Sequence, residues 1–351
     1  MQRDTGVTKL IIQIPCYNEE ATLATTLSQL PRDVPGVDKV EWLVIDDGST
    51  DRTAEVARSH GVDHIVTHTK NLGLAGAFVT GLEACLARQA DIIVNLDGDN
   101  QYCADCIGDL IRPILEGRAE IVVGARPIEE IEHFSKVKKA LLKAGSWAVR
   151  VASGTDIPDA PSGFRAFSRE AAMRMRVYSS YTYTLETIIQ AGLRGMSIVW
   201  VPIRTNSPLR PSRLIRSIPS YVLRSVMTIV RIFVVYRPFR FFSSIGLFLL
   251  LLGMLVGLRF LWFYLTTGGS GHVQSLILAS ILIGMGFQTL MVAFVADLLS
   301  VNRRLAEDSH YRALKESLAR NGTATPPRRP KSRKQASWRS KPEHRRTRKT
   351  G

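Results

Sequence analysis

The sequence predicts an α/β protein in which a mainly parallel sheet has helices on both faces and is followed by two long apolar helices. Short, continuously apolar runs separated by helical segments in the amino-terminal part are typical of parallel strands buried on both faces. Two much longer apolar stretches, residues 241–265 and 273–299, follow near the other end of the chain. The 351 residues therefore combine one large sheet domain with a separate helical region.

Five apolar runs predict the strands of the sheet, at residues 10–14, 41–45, 64–67, 91–96 and 120–124. In open parallel sheets, ligands bind beyond the carboxyl ends of the strands. Residues suited to binding or to tight turns stand at or just after several of these ends. They are Pro15, Tyr17, Asp46, Asp47, Asp97, Asp99 and Arg126. We therefore predict a binding site along this edge of the sheet.

Asp97 and Asp99 follow the fourth run and are separated only by Gly98. Alternate side chains of an extended chain point the same way, and a turn at the glycine lets both carboxylates approach one cation. Mg²⁺ takes one or two protein carboxylates and completes its shell with substrate phosphates. A nucleotide diphosphate site is therefore the first hypothesis, although such acidic pairs also occur in ordinary solvated turns.

The two apolar stretches predict a transmembrane hairpin spanning residues 241–300. Each stretch contains one charged residue, Arg259 or Asp297, and each is long enough as a helix to cross about 30 Å of hydrocarbon. The connection, residues 266–272, is short and rich in glycine. A helical pair buried in a soluble core is the alternative interpretation.

Positive charge lies outside the hairpin, which predicts its orientation. Arg237 and Arg240 precede the first stretch, Arg303 and Arg304 follow the second, and the connection has no Lys or Arg. By the positive-inside rule, the amino-terminal domain and both termini then face the cytoplasm. No cleavable signal peptide is expected, because the first apolar run is too short.

Residues 213–240 predict amphipathic helices lying along the lipid headgroups. Arg224, Thr228 and Arg231 share one face of a helix, while apolar residues occupy the other faces. Such helices would hold an active site at the depth of a lipid phosphate. A buried connecting helix is the alternative.

Residues 301–351 predict a basic and largely disordered tail. From Arg303 onward the chain has 16 Lys or Arg against four Asp or Glu, which gives this segment +12 of the formal charge of +15. A segment with so few large apolar residues cannot offset its ordering entropy. Anionic membrane lipids are the expected contact, and a purely solubilising tail fits equally. Nucleic acid is not an expected partner, because the sequence carries no nucleic-acid-binding fold signal.

Four motifs follow one another through the first part of the chain. They are Pro15, Cys16, Tyr17, Asn18, Glu19; Asp46, Asp47, Gly48, Ser49; Asn71, Gly73, Ala77, Gly81; and Asp97, Gly98, Asp99 with Gln101. Their order and spacing resemble those of the family 2 glycosyltransferases with a GT-A fold, and we assign residues 1–212 to such a domain. Gly124, Ala125, Arg126 and the later Ser162, Gly163, Phe164, Arg165 narrow the resemblance. With a membrane hairpin behind them, they make the chain similar to dolichyl-phosphate mannose synthases and bacterial polyprenyl-phosphate glycosyltransferases.

The resemblance implies how a nucleotide sugar is bound. In the family, the first motif packs around the base, the second approaches the base and ribose, and the third lies near the nucleotide. The implied nucleotide-binding residues are Pro15, Tyr17, Glu19, Asp46, Asp47, Asn71 and Gly73. The implied ligands of Mg²⁺ or Mn²⁺ are Asp97, Asp99 and Gln101. Without this context, the second and third motifs would equally be read as ordinary turns.

The resemblance also implies residues that handle the acceptor. Arg126, Ser162 and Arg165 match family positions that hold the acceptor phosphate, and a guanidinium suits two-pronged phosphate contact. We add Arg210 and Arg213 to this group, as residues that meet the lipid phosphate or the leaving nucleotide. The alternative is that these arginines pair with surface carboxylates.

Two acidic residues are candidates for a general base. Asp159 could orient the acceptor, act as a base or cap a turn beside Pro158 and Pro161. Glu186 is the second candidate and reads equally as an ordinary helix residue. The residues expected to carry the reaction are therefore Asp97, Asp99, Arg126 and Asp159.

Taken together, the resemblance predicts transfer of a sugar from a UDP- or GDP-linked donor to undecaprenyl or dolichyl phosphate, with inversion, on the cytoplasmic face. One rival is a transferase of the same fold that acts on a glycan or glycolipid; the Gln-x-x-Arg-Trp motif of processive synthases is absent from the sequence. The other rival is a non-enzymatic membrane adaptor acting through the basic tail. The donor base and sugar stay open, and the sequence is compatible with a homo-oligomer.

Overall fold

The computed structural model describes residues 7–128, 136–177, 183–207, 237–268 and 273–323, with isolated positions between residues 223 and 234. Residues 7–207 are called the sheet domain below. The predicted site residues Arg210 and Arg213 lie outside the described residues, as do Arg224 and Thr228.

One sheet of seven strands runs through the sheet domain, in the order β3-β2-β1-β4-β6-β5-β7. The strands are β1 Lys9–Cys16, β2 Lys39–Asp46, β3 His64–Thr67, β4 Ile92–Asn95, β5 Ile121–Ala125, β6 Arg165–Ser168 and β7 Ile198–Pro202. All neighbouring strands are parallel except that β6 runs antiparallel to both β4 and β5. The mainly parallel α/β sheet is confirmed, and its first five strands match the five predicted runs.

Helices cover both faces of the sheet, and alternate residues of the interior strand β1 therefore enter different cores. Ile12 of β1 packs in a cluster with Leu23 and Leu110, whereas Ile11 packs in a second cluster with Phe78. The helices of the sheet domain are α1 Leu23–Gln29, α2 Thr53–Ser59, α3 Gly73–Ala87, α4 Ile107–Leu115, α5 Lys136–Ser153, α6 Arg169–Arg174 and α7 Thr184–Leu193. The continuous apolar strands are thus explained by burial on two sides.

Two long apolar helices follow, α8 Pro238–Thr267 and α9 Val273–Thr323. Only 11% and 17% of their most apolar windows are buried, so they are not the core helices of a soluble domain. They cross closely where small residues meet: a Cβ atom on Gly246 would lie 3.0 Å from the carbonyl oxygen of Gly286. Both helices are long and apolar enough to cross a membrane.

The structure corrects the predicted boundary at residue 301, because α9 continues as a helix to Thr323. Beyond the apolar stretch, Tyr311, Leu314 and Leu318 form a narrow stripe that packs against the second core cluster of the sheet domain. The Tyr311 hydroxyl also donates to Glu170. The basic composition concealed this stripe, since three apolar contacts at helical spacing are enough to order a charged helix on a neighbouring surface.

A short set of positions between the sheet domain and α8 is also described. Leu223, Val226, Met227 and Val230 are helical and have exposed side chains. Their spacing places all four on one helical face. Arg231 is helical and exposed as well, whereas its predicted partners Arg224 and Thr228 lie outside the described residues.

Candidate active site

The carboxyl ends of β1 and β2 are joined by hydrogen bonds between the loops that follow them. Asn18 adopts a left-handed backbone conformation with φ of 54°, and its Oδ1 accepts a hydrogen bond from the Thr50 amide at 2.8 Å. Glu19, which is 8% exposed, accepts from the Thr22 hydroxyl at 2.8 Å. Tyr17, the residue before Asn18, is 41% exposed, so its ring faces outward at this edge.

Asp47 organises the loop that leads into α3. Its carboxylate accepts hydrogen bonds from the backbone amides of Leu72 and Gly73, both at 2.8 Å, and lies 2.7 Å from His68 Nδ1. The loop approaches so closely that a Cβ atom on Gly48 would lie 2.8 Å from the Lys70 carbonyl carbon. Asp47 therefore positions the predicted nucleotide loop, and its buried oxygens are engaged within the protein.

Three further predicted nucleotide-binding residues, Asp46, Asn71 and Pro15, lie in or beside these loops. Asp46 is 4% exposed and its Oδ1 accepts from the Ser49 amide at 2.9 Å. Asn71 is exposed and its Oδ1 accepts from the Gly73 amide at 2.9 Å, at the start of α3. Pro15 is buried within β1, opposite Ile45.

The acidic pair follows β4, as predicted. Asp97 and Asp99 are both half-buried, and the carbonyl oxygen of Gly98 between them accepts from the hydroxyls of Thr22 and Thr26 at 3.0 and 3.2 Å. Gln101 donates from Nε2 to Asp99 Oδ2 at 2.9 Å, so its amide orients that carboxylate. Hydrogen bonds from Thr22 and Thr26 on one side and from Gln101 on the other therefore hold the turn at Gly98 in place.

Asp97 carries an unfavourable negative charge. Burial raises its pKa most, the Asp99 carboxylate raises it as well, and the Arg126 guanidinium lowers it; the net result is a pKa of about 7. A divalent cation shared with Asp99 would stabilise both carboxylates. Among the described residues, no cluster of three or more His, Cys, Asp or Glu side chains could hold a metal ion alone. Two carboxylates fit Mg²⁺ or Mn²⁺ when substrate oxygens complete the shell.

A buried polar network lies directly behind Asp97, and sequence reasoning missed it. Gln13 Nε2 donates to Asn95 Oδ1 at 2.9 Å, and Asn95 Nδ2 donates to the Tyr183 hydroxyl at 2.7 Å and to the Gly163 carbonyl at 3.0 Å. The Tyr183 ring stacks on Phe78 with centroids 3.9 Å apart. The signal was available, because Gln13 and Asn95 are polar residues inside otherwise apolar strands and buried polar groups need partners.

Arg126 and Asp159 form a buried two-pronged ion pair. Nε and Nη2 of Arg126 donate to the two carboxylate oxygens of Asp159 at 2.7 and 2.9 Å, and the Arg126 amide donates at 3.1 Å. Burial lowers the pKa of Arg126, but Asp159 raises it more, so the guanidinium stays charged. With both oxygens occupied, Asp159 is poorly placed to act as a free general base; its observed role is to hold Arg126.

The prediction that Arg165 holds the acceptor phosphate is wrong in this structure. Arg165 is fully buried and donates to the backbone carbonyls of Ala160, Ser162 and Thr184 at 2.7, 2.9 and 2.7 Å. Burial lowers its pKa to about 10. It fixes the loop before β6 instead of facing a ligand. Sequence reasoning failed because an arginine is so rarely buried that exposure is the ordinary expectation.

Ser162 and Glu186 are also buried. The Ser162 hydroxyl has no hydrogen-bond partner among the described residues, and its backbone amide donates to the Asp159 carbonyl at 3.2 Å. Glu186 is 2% exposed within α7, where Gln190 Nε2 lies 3.4 Å from its Oε1. The site therefore brings Asp97, Asp99 and the Arg126 pair to one edge, with Arg165 as internal support.

Comparisons with known proteins identify the family to which the chain is similar. The family model described as glycosyl transferase family 2 matches residues 11–176. An uncharacterized protein of Methanocaldococcus jannaschii is 30% identical over 202 residues, which cover 56% of this chain and 81% of that protein. The UDP-N-acetylglucosamine–dolichyl-phosphate N-acetylglucosaminyltransferase of Methanococcus voltae is 29% identical over 216 residues, covering 55% and 83% of the two chains.

A solved structure shares the fold. Glucosyl-3-phosphoglycerate synthase of Mycobacterium tuberculosis, crystallised with Mn²⁺, UDP-glucose and phosphoglyceric acid, superposes with a TM-score of 0.50 at 23% identity. The match covers 64% of this chain and 80% of that one. At this identity the likeness concerns the fold alone, and it confirms the GT-A architecture of the sheet domain.

Proposed function

Because this chain belongs to the family 2 glycosyltransferases, we propose that it moves a sugar from a nucleoside diphosphate to a polyprenyl phosphate. One observation carries the proposal: a GT-A domain with a half-buried acidic pair is joined to two exposed apolar helices. The Methanococcus voltae relative is named for a UDP-sugar donor and a dolichyl-phosphate acceptor. Family membership favours an enzyme over the non-enzymatic adaptor.

The chemistry of the acceptor suits the residues at the site. A phosphate monoester has a second pKa near 6, so much of it is a dianion at neutral pH and needs no strong base. The engagement of both Asp159 oxygens by Arg126 is compatible with such a reaction. An anionic acceptor does need a cation beside the sugar carbon, because the donor diphosphate repels it. Arg126, whose side chain is 12% exposed, supplies that charge.

In the proposed reaction, an acceptor phosphate oxygen attacks the anomeric carbon in line, the glycosidic bond to the diphosphate breaks, and the configuration inverts. Asp97 and Asp99, with Gln101 orienting Asp99, are the residues that would hold Mg²⁺ or Mn²⁺. A bound cation would offset the charge that gathers on the leaving nucleoside diphosphate. The Mn²⁺ and UDP-glucose bound by the Mycobacterium tuberculosis enzyme support this cofactor class.

The nucleotide is proposed to lie across the loops after β1 and β2. The exposed Tyr17 ring offers a stacking surface for the base. Glu19, Asp46, Asn71 and Gly73 line the adjoining edge, and Asp47 holds the α3 loop in place. UDP and GDP donors are both consistent with this arrangement.

A direct test uses membranes containing the full chain, a panel of labelled UDP- and GDP-sugars, polyprenyl phosphate, and Mg²⁺ or Mn²⁺. Label should enter the lipid fraction with the anomeric configuration inverted. Asp99→Asn should abolish transfer, whereas Asp109→Asn, an exposed carboxylate on α4, should leave it unchanged. Entry of label into a glycan or glycolipid instead of the polyprenyl phosphate would contradict the acceptor assignment, and full activity in Asp99→Asn would remove the metal assignment.

The cytoplasmic orientation is tested separately by cysteine labelling in intact cells. A Thr266→Cys variant, at the end of α8, should react with an impermeant maleimide added outside. A matched Ser309→Cys variant, on the charged part of α9, should react only after the membrane is opened. The reverse pattern would place the sheet domain on the other side.

A further inference from the structure

A cavity of about 460 Å³ lies between α9 and the sheet domain. Six arginines line it: Arg174, Arg176, Arg194, Arg303, Arg304 and Arg312. The acidic residues of its wall are Glu307 and Asp308. Its size falls within the range of about 300–1,000 Å³ that is usual for small-ligand sites.

Arginines outnumber carboxylates among the described residues of the cavity wall. Arg194 donates to Glu307, and Arg303 Nε also lies 3.7 Å from that residue's carboxylate. Arg174 donates at 2.8 Å to Glu170, outside the wall. Among the residues that the structure describes, and with Glu170 counted, the wall brings together six guanidinium groups and three carboxylates, an excess of positive charge. Crowded like charges of this kind are stabilised by a bound anion.

The cavity is separate from the candidate active site. The α6 helix, which carries Arg174, begins after Ser168, and Ser168 pairs with Ile92 at the start of β4. Asp97 follows the opposite end of the same strand, beyond Asn95. The arginine-lined cavity therefore lies towards the Ile92 end of β4, and the candidate active site lies beyond its opposite end.

The position of the cavity along α9 corresponds to the level at which lipid headgroups would lie. Arg303 and Arg304 follow the end of the apolar stretch at Leu299 by about one helical turn, or roughly 6–8 Å at 1.5 Å per residue. The polar layer on each side of a hydrocarbon core is about 5–8 Å thick. If α9 crosses a bilayer, the cavity opens beside that layer.

We infer that this cavity binds a phosphate-bearing anion, which bridges the arginines of α9 and those of the sheet domain. Guanidinium groups hold phosphate through paired, charge-assisted hydrogen bonds. The source is either an anionic phospholipid headgroup or a soluble phosphate. In either case the anion would fasten the extension of α9 onto the sheet domain and fix that domain's position relative to the two apolar helices.

The test measures binding to the purified full-length protein in a zwitterionic detergent after lipid removal, so it does not depend on glycosyl transfer. Dioctanoyl phosphatidylglycerol, dioctanoylglycerol and inorganic phosphate are titrated at constant ionic strength, and the rise in unfolding temperature is recorded. The Arg304→Gln/Arg312→Gln variant removes two exposed arginines of the wall. The Arg58→Gln/Arg320→Gln variant removes two exposed arginines elsewhere and is the matched control.

Saturable stabilisation by phosphatidylglycerol, but not by dioctanoylglycerol, is expected, with roughly tenfold weaker binding in Arg304→Gln/Arg312→Gln and unchanged binding in the control. Stabilisation by inorganic phosphate with equal affinity identifies a soluble source, whereas a response to phosphatidylglycerol alone identifies a lipid. If the glutamine variant does not fold, Arg304→Lys/Arg312→Lys should bind more weakly than wild type and respond to salt. The inference is overturned if neither anion binds, or if the wall variant and the control behave alike.

Discussion

Gly163 lies directly against the Asp97 carboxylate: a Cβ atom at Gly163 would stand 2.8 Å from Asp97 Oδ2 and 3.1 Å from Oδ1. The glycine cannot move away easily. Its amide donates to the Tyr102 hydroxyl at 2.9 Å, and its carbonyl accepts from the Tyr183 hydroxyl at 3.1 Å and from Asn95 at 3.0 Å. The position of one proposed metal ligand is therefore set by a residue 66 positions later in the sequence.

Gly163→Ala should displace the Asp97 carboxylate and lower kcat by about 100-fold, since a 1 Å misplacement of a reacting group can cost that much. The concentration of Mg²⁺ or Mn²⁺ needed for half-maximal rate should rise as well. Gly145→Ala on α5 is the matched control, because a Cβ atom there meets nothing within 4 Å. Initial rates across a metal titration measure both effects; a normal metal response in Gly163→Ala would show that Asp97 does not need this close approach.

Tyr183→Phe should test the buried network behind the acidic pair. Removing the hydroxyl deletes the bond to Gly163 and leaves one donor bond of Asn95 unmade, which should cost about 1–3 kcal/mol of unfolding free energy. The ring stacking on Phe78 is kept, so the change is confined to the hydroxyl. We expect the metal requirement to rise together with the loss of stability. A loss of stability with an unaltered metal requirement would make the network purely structural.

Asp159→Asn should act by releasing Arg126. Because the pair is buried, with side chains 1% and 12% exposed, removing the carboxylate should cost about 3–5 kcal/mol. Arg126→Gln should give a similar loss, and the Arg126→Gln/Asp159→Asn double variant should lose less than the sum of the two single variants. Unfolding midpoints and rates measure the coupling. If Asp159 instead acts as a general base, Asp159→Asn will keep its stability and lose the ascending limb of the pH–rate profile.

The way these residues meet also explains which parts of the molecule could be predicted. The strands β1 to β5 are short apolar runs buried on both faces, and such runs are visible in a sequence. Strand β6 begins with Arg165 and ends with Ser168, and it is ordered by antiparallel pairing between β4 and β5. Strand β7 lies at the sheet edge and consists of half-buried and exposed residues. Strand β6 has no strong local pattern, so pairing decides its conformation, whereas the apolar, β-branched sequence of β7 was a usable strand signal that sequence reasoning missed.

The residues of the candidate site also fall into those that could be predicted from the sequence and those that could not. Asp97, Asp99 and Arg126 were predictable because each stands where an apolar run ends. Their partners were not, since Arg126 meets Asp159 across 33 residues and Asn95 meets Tyr183 across 88. Long-range pairs of this kind depend on how strands and loops are brought together, which no local spacing records.

Glu41 offers a test of the sheet domain through pH. It accepts from Lys9 and Lys39, both at 2.7 Å, and lies 2.9 Å from His64 Nε2. Burial raises the pKa of Glu41, but these hydrogen bonds lower it more, to about 2. Between about pH 2 and its ordinary pKa near 4.5, the unfolded chain binds more protons than the folded one, so this contribution to stability is lost as pH falls through that window.

Glu41→Gln should therefore lower the free energy of unfolding by about 3 kcal/mol at pH 7, and the difference from wild type should shrink as the pH falls from about 4.5 towards 2. Trp42, the next residue of β2, provides a local fluorescence signal for the unfolding transition. Glu116→Gln is the control, because Glu116 forms an exposed pair with Arg118 that should contribute less than about 1 kcal/mol. A difference between Glu41→Gln and wild type that stays constant with pH would show that the carboxylate is not held ionised by its three partners.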